Sequence, residues 1–447
     1  MEIDWLLIVL YLFFLIVFIV DIIKDFKNNK TINMKIFCKI FYIIFFFLTP
    51  ITFIISSGLS NDNINVWESM IFHLSFFEKI LIFFVSLIGY LFMNIGFIFS
   101  RKRFINNVHK KNSDFNPLSV EIANNKKNKI ILIILLIIGW ICLLLWTKVY
   151  GGLFGIFKYA SKIRSGVVEI YNPFTFLKYF CQLLLIVFLC NFDDFINKKK
   201  IRDLLLCFVS GFGSFVYLIA NDGRNLILSV IIAIFLNLFY KKKIKIKTIA
   251  LLVLMSLVGL FLITNLDNIT SGIRQKKKIQ LLYEINPVDI INNEYGYIYM
   301  DLSNTIYLNN KGQLDYNFFD ELKCIAFFLI PQRYKPADLI NLYDYNNHFY
   351  PKFFGTIPPD IISASIYLLN FIGILIVPFI VGFLIGKVDM YFKNRVDYNS
   401  IYKQIYFLLV TMLPLRACGY FDFAVILFNF VFVYAALIVC KIVYKVK

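Results

Sequence analysis

Arginine is the residue type in this sequence best placed for chemistry on an anion. Arg224 stands in Asn221-Asp222-Gly223-Arg224-Asn225, the only break between two long apolar stretches. Asn, Asp and Gly favour a tight turn. A helix starting at the arginine would aim its first amides and the guanidinium at one point, which makes an anion site. The plainer alternative has Arg224 snorkelling to a membrane interface while Asp222 caps the helix. Arg416 lies in Leu413-Pro414-Leu415-Arg416-Ala417, beside a proline expected to break the helix and free carbonyls that a guanidinium could occupy. An interfacial anchor is the alternative there too. Arg333 sits in Ile330-Pro331-Gln332-Arg333-Tyr334-Lys335-Pro336, where two prolines bracket a basic segment that could clamp an anion or be ordinary solvated charge. Arg164, Arg274 and Lys335 are further candidates for binding an anionic substrate.

Proton transfer needs a general base, and the candidates are Asp222, Asp360 and His348, with no ranking among them. His348 is one of three histidines and lies in Tyr345-Asn346-Asn347-His348-Phe349-Tyr350. A Ser/His/Asp set, a glycine-rich phosphate loop and GxGxxG are all missing. The eight cysteines are scattered, without CxxC or Cys/His spacing. The sequence therefore suggests no cofactor, no metal and no disulfide framework.

The elements that must position these residues follow from composition. Of 447 residues, 60% are hydrophobic, 18% aromatic and 17% charged, with a mean hydropathy of +0.73. A soluble domain has roughly 45–50% apolar residues and about 25% charge. A soluble enzyme, a disordered chain and a secreted disulfide scaffold are excluded. Apolar stretches run for about twenty residues without period-two alternation, which leaves an all-α polytopic membrane protein and excludes a barrel.

Eleven transmembrane helices are expected, near 5–23, 36–56, 78–99, 130–149, 173–192, 204–220, 225–240, 248–265, 361–385, 404–420 and 422–440, in a single membrane domain over 1–447. The first of them has no basic n-region or cleavage site and reads as a retained helix. Alternate loops hold 29 of the 46 basic residues, whereas the loop 57–77 has none. The positive-inside rule then places the N-terminus outside and the C-terminus in the cytoplasm. The net charge of +18 is accordingly a topology signal, and nucleic acid is not an expected partner. Residues 266–360 form one large extracytoplasmic loop, of the length that usually carries function. Within it Phe318 to Ile330 reads as an amphipathic helix lying on the membrane surface and ended by Pro331.

Several segments, in order, resemble the bacterial O-antigen and oligosaccharide repeat-unit polymerases. They are Lys148-Val149-Tyr150-Gly151-Gly152-Leu153 with Arg164 downstream, the Arg224 turn, the proline-bracketed Arg333 segment, and Gly355-Thr356-Ile357-Pro358-Pro359-Asp360 running through Tyr367 and Asn370-Phe371-Ile372-Gly373 to Gly382-Phe383-Leu384-Ile385-Gly386. The Arg224 turn has Asn-Asp where that family more often shows small residues, and the segment before Tyr367 lacks the family's frequent glutamate.

The resemblance implies a fold like the membrane-embedded glycosyltransferases of the GT-C class, in the bacterial cytoplasmic membrane. It also implies an undecaprenyl-diphosphate-linked oligosaccharide as substrate, with a flippase and a chain-length regulator of the same pathway as partners. Glycosyl transfer would move the growing chain onto an incoming lipid-linked repeat on the extracytoplasmic face, building an O-antigen or capsule-type polysaccharide. Arginines can grip a diphosphate leaving group bidentately, so a metal-independent glycosyltransferase is the expectation. The alternatives are an O-antigen ligase-like enzyme of related fold and a lipid-linked oligosaccharide flippase or other transporter.

Overall fold

A computed structural model of the chain describes residues 5–29, 33–59, 67–72, 74–108, 117–165, 170–221, 224–240, 287–328, 330, 334, 336, 339–351, 356–393, 395 and 399–445. Every described element is helical. Seven helices are long and apolar enough to cross a membrane: Trp5–Lys27, Met34–Ser56, Phe76–Arg101, Lys127–Lys148, Thr175–Lys198, Ile201–Ala220 and Ile361–Lys393. An eighth span follows if the bent pair Phe423–Asn429 and Val431–Tyr444 is counted as one. The chain is thus a polytopic helical membrane protein.

The other three expected spans have different fates. The helix over 225–240 is present as Arg224–Tyr240, but its apolar part, Leu226–Phe239, is short for a crossing. Ser400–Gly419 is helical and carries Lys403, Gln404 and Arg416, which dilute its hydropathy. Residues 248–265 lie outside the described part.

The chain divides into two compact units, Met1–Lys111 with Asn286–Tyr391 and Leu413–Leu427, and Asn112–Ile285 with Phe392–Met412 and Phe428–Lys447. In the first unit an aromatic seam joins the N-terminal spans. The Phe18 ring lies 4.0 Å from Tyr90 and 4.7 Å from Phe47, and Tyr11 meets Phe83 edge-on at 5.0 Å. Small residues let Phe76–Val108 and Ile361–Lys393 touch backbone to backbone. A Cβ on Gly96 would stand 2.2 Å from the Phe379 carbonyl oxygen, and one on Gly382 would stand 2.1 Å from that of Met93. Lipid offers no hydrophobic drive to such a contact, so close van der Waals approach has to supply it.

The expected loop 266–360 contains a 24-residue helix, Pro287–Asn310, and residues 296–306 along it are all buried. Asn292 near its start is matched by partners on the second span: Thr52 Oγ1 donates to Asn292 Oδ1 at 2.7 Å, and Asn292 Nδ2 donates to Ser56 Oγ at 3.2 Å. Ile361–Lys393 is broken near its start, where Leu369 and Asn370 leave helical geometry and Asn370 takes φ 54°. The Asn370 side chain steadies the break, since its Oδ1 accepts from Phe371 N at 2.7 Å and from Asn309 Nδ2 at 3.0 Å.

In the second unit, Leu183–Lys198 and Ile201–Ala220 form a helical hairpin turned at Lys199, which has φ 50°. Leu184 wedges against two glycines, Gly139 and Gly213, where an added Cβ would come within 2.7 and 2.8 Å of it. Lys403 pairs with Asp193 at 3.0 Å and ties Ser400–Gly419 to the hairpin. Gly151 and Gly152, at φ 89° and 85°, turn the chain sharply out of Pro117–Lys148.

Candidate functional site

Arg224 begins the Arg224–Tyr240 helix, as its turn predicts, and Arg164 lies in the short helix Ala160–Ser165. The side chains of both lie outside the described part, as do residues Asp222, Arg274, Arg333 and Lys335 altogether. Arg416, His348 and Asp360 are described, and all three belong to the first unit.

Arg416 is the member of the set with the most telling surroundings. The helix Ser400–Gly419 runs on through Pro414, so the expected break with freed carbonyls is absent. The guanidinium is half-buried and lies over the Tyr420 ring at 5.3 Å. A cation above a tyrosine face is worth roughly 0.5–2 kcal/mol. It also reaches the Tyr343 hydroxyl, which itself donates to the Tyr420 carbonyl at 3.2 Å. Burial raises the pKa of this phenol, against the pull of Arg416. Among the described residues Arg416 has no carboxylate partner. The Tyr420 ring and the Tyr343 hydroxyl thus orient the guanidinium.

Asp360 does different work. Its Oδ1 accepts from Ile362 N at 2.7 Å and Ser363 N at 3.0 Å, while Ser363 Oγ donates to Oδ2 at 2.5 Å. Both oxygens are spent on starting the helix Ile361–Lys393, an N-cap in the ordinary sense. Phe421 N donates to the Pro359 carbonyl at 2.8 Å, which pins the turn after Arg416 beside this cap. His348 ends the helix Leu342–His348 and is exposed.

Buried carboxyls that carry no weight in the sequence reading surround this region. Asp301 and Asp360 are both 0% exposed. Burial, with the Asp360 carboxyl beside it, pushes Asp301 well above the usual carboxylate range. Tyr350 donates to Asp301 Oδ1 at 3.2 Å, and Asp301 Oδ2 has no partner. Around them Tyr367 donates to Asn346 Oδ1 at 2.7 Å, Asn346 Nδ2 to the Ile357 carbonyl at 3.0 Å, and Thr305 and Tyr367 share a bond of 2.8 Å.

A second acid pair is Glu321 and Asp422. Tyr316 and Phe423 N each donate to Glu321 at 3.0 Å, yet burial and then Asp422 hold its carboxyl up to about 8. Asp422, lifted to about 6 by burial, caps Val425 N at 2.8 Å and leaves Oδ2 without a partner. The helix carrying Glu321 ends at Ala326, short of Pro331. It buries Glu321 and Cys324 and exposes Phe319 and Leu322. Its apolar side is therefore exposed.

Sequence reading missed Asp301, Asp422, Tyr343 and Tyr420. The spacing Tyr297, Asp301, Asn304, Thr305 puts one polar face on a helix and could have exposed the first of these. Among the described residues no three His, Cys, Asp or Glu side chains are grouped as metal ligands. No family model, no curated protein and no solved structure matches this chain.

Proposed function

We propose that the chain is a membrane glycosyltransferase that polymerises polyprenyl-diphosphate-linked oligosaccharide repeat units on the extracytoplasmic face of a bacterial cytoplasmic membrane, with a GT-C-like fold. One observation carries the reading. Arg416 is a half-buried cation near the end of the helix Ser400–Gly419, held by the Tyr420 ring and the Tyr343 hydroxyl and left without a carboxylate partner among the described residues. A guanidinium in that setting fits a diphosphate, which it can hold through two parallel hydrogen bonds. Cations near membrane depth are costly and are usually kept for function.

In the reaction, a hydroxyl of the incoming lipid-linked repeat attacks the anomeric carbon of the growing chain. The new glycosidic bond forms as the bond from that carbon to the diphosphate oxygen breaks, and polyprenyl diphosphate leaves. Arg416, with Arg224 and Arg333, stabilises the departing charge. Arg164, Arg274 and Lys335 bind the substrate. The acceptor proton passes to Asp222 or His348. Asp360 holds the helix start, since both of its oxygens are already occupied. A flippase and a chain-length regulator of the same pathway are the proposed protein partners.

Transport of the same lipid-linked glycan is favoured by a different observation. Lys39 is 2% exposed inside a spanning helix and pairs with Asp21 and Asp25, while Tyr90 also donates to Asp21. Buried ion groups in spans are a transporter feature. One reconstitution separates the two readings. Purified protein in liposomes, given a purified lipid-linked repeat, should produce a ladder of polymer with no energy source added. Movement of labelled lipid-linked glycan across the bilayer without any ladder would establish transport instead.

A further inference from the structure

The Ile361–Lys393 helix doubles back on itself at its break. In an unbroken helix Ile362 and Gly382 would stand about 30 Å apart. Instead Ile362 meets the Phe76–Val108 helix at Gly89, and Gly382 meets it at Met93, about one turn further along. The two arms also touch each other, since a Cβ on Gly373 would run into the Ser365 carbonyl. Residues 361–368 therefore form a short arm folded against the long one, and residues 357–368 are all buried. Gly89 lies midway along the spanning stretch Phe76–Arg101, so the tip of the short arm reaches mid-depth of the membrane. Broken helices commonly place ion sites at that level.

Asp360 closes the tip by accepting from Ile362 N and Ser363 N, while the Ser363 hydroxyl donates to its other oxygen. Asp301 faces the same tip from the Pro287–Asn310 helix and also reaches the Ser363 hydroxyl. It is 0% exposed, and its Oδ2 has no partner. The titratable groups facing the pair include three phenols: Tyr350 and Tyr367 beside Asp301, and Tyr42 beside Asp360. Among the described residues neither acid pairs with a cation. Two carboxylates so placed cannot both be charged. We propose that Asp301 and Asp360 hold one proton between them, relayed through Ser363, and that this proton latches the tip of the hairpin. With the proton on, Asp301 Oδ2 donates to Ser363 Oγ and Ser363 donates onward to Asp360, so no oxygen is orphaned. When the proton leaves to water, two like charges face each other in an apolar interior, and the short arm moves off Asp301 to hydrate them. The ligand is a proton and needs no cavity. The proposal is independent of the glycosyl-transfer reading.

The test is amide hydrogen exchange on the purified full chain, read by mass spectrometry from about pH 6 to about pH 9 and corrected for the intrinsic pH dependence of exchange. Protection of residues 357–369 should fall as pH rises, by up to about tenfold per pH unit, the slope for one proton released on opening. Protection of residues 374–390 in the long arm should stay level. Asp301→Asn cannot repel Asp360 and should keep the short arm protected at every pH. Asp360→Asn still caps the helix and should do the same, so the proposal stays testable if one of the two variants does not fold. Level protection of residues 357–369 in wild type, an equal fall in both arms, or the wild-type fall in either variant would each overturn it.

Discussion

Phe423 N donates to Glu321 Oε1 at 3.0 Å across 102 residues of sequence, so a buried carboxyl on one short helix holds the first turn of another. Burial outweighs this donor and the Tyr316 hydroxyl, and the carboxyl is held up to about 8 against an ordinary 4.5. The folded chain therefore keeps a proton that the unfolded chain has lost. Stability from this group is complete below pH 4.5 and declines as pH rises to about 8.

Glu321→Gln should remove most of that decline, because the amide stays neutral. Thermal unfolding in detergent at about pH 5.5 and about pH 8.5 checks it, at one pKa unit per roughly 1.4 kcal/mol. Wild type should lose stability between the two, and the variant should lose at least about 1 kcal/mol less. An identical loss in both would contradict the buried-carboxyl account.

Burial, and then the Asp360 carboxyl, push Asp301 well above the usual carboxylate range and favour its neutral form. Asp301→Asn should then change stability little, because Asn can still accept from Tyr350. Asp301→Leu leaves the Tyr350 hydroxyl buried without an acceptor and should cost about 1–3 kcal/mol. Equal destabilisation by both changes, measured by denaturant or heat, would mean that Asp301 is needed as a charge.

The contact of Gly96 and Gly382 admits no Cβ without moving backbone, since the nearest atoms are the carbonyl oxygens of Phe379 and Met93. Gly96→Ala and Gly382→Ala should each cost about 1–3 kcal/mol, the usual range for overpacking. The double variant should cost less than the two added, because either change alone already separates the helices. Strict additivity in a thermal unfolding series would show that the two glycines do not share one interface.

The architecture was largely legible in the sequence because a membrane imposes a length on every span. Twenty apolar residues are visible without knowing their neighbours. The helix Pro287–Asn310 was not legible, since its burial depends on partners such as Thr52 and Ser56 that lie some 240 residues away. The break at Asn370 carries no proline at the break itself. Its stability comes from the Asn370 side chain bonding locally and to Asn309. At the candidate site Arg416 could be picked out as a cation beside an apolar run. Its tyrosine setting could not, because Tyr343 meets Tyr420 across 77 residues. Asp360 was visible as an acid at a helix start, and there capping competes directly with catalysis for the same two oxygens.

Orientation is open to a labelling test with a low background, since all eight cysteines are buried. Asn310 and Lys199 are both exposed. With the basic loops in the cytoplasm, Asn310→Cys should react with a membrane-impermeant maleimide in intact cells, and Lys199→Cys should react only after permeabilisation. The reverse pattern would invert the topology and move the candidate site to the other face.

The central claim is that Arg416 grips the diphosphate of a lipid-linked glycan. The most direct measurement is single-turnover polymerisation of a purified lipid-linked repeat by wild type, Arg416→Lys and Arg416→Ala in liposomes. Lysine keeps the charge but cannot make two parallel bonds. Loss of a charge-stabilising contact in the transition state costs roughly 10²–10³ in rate. Both variants should therefore fall by about that factor at wild-type protein levels. Wild-type rates for Arg416→Lys would show that Arg416 is a membrane anchor and remove the observation on which the function rests.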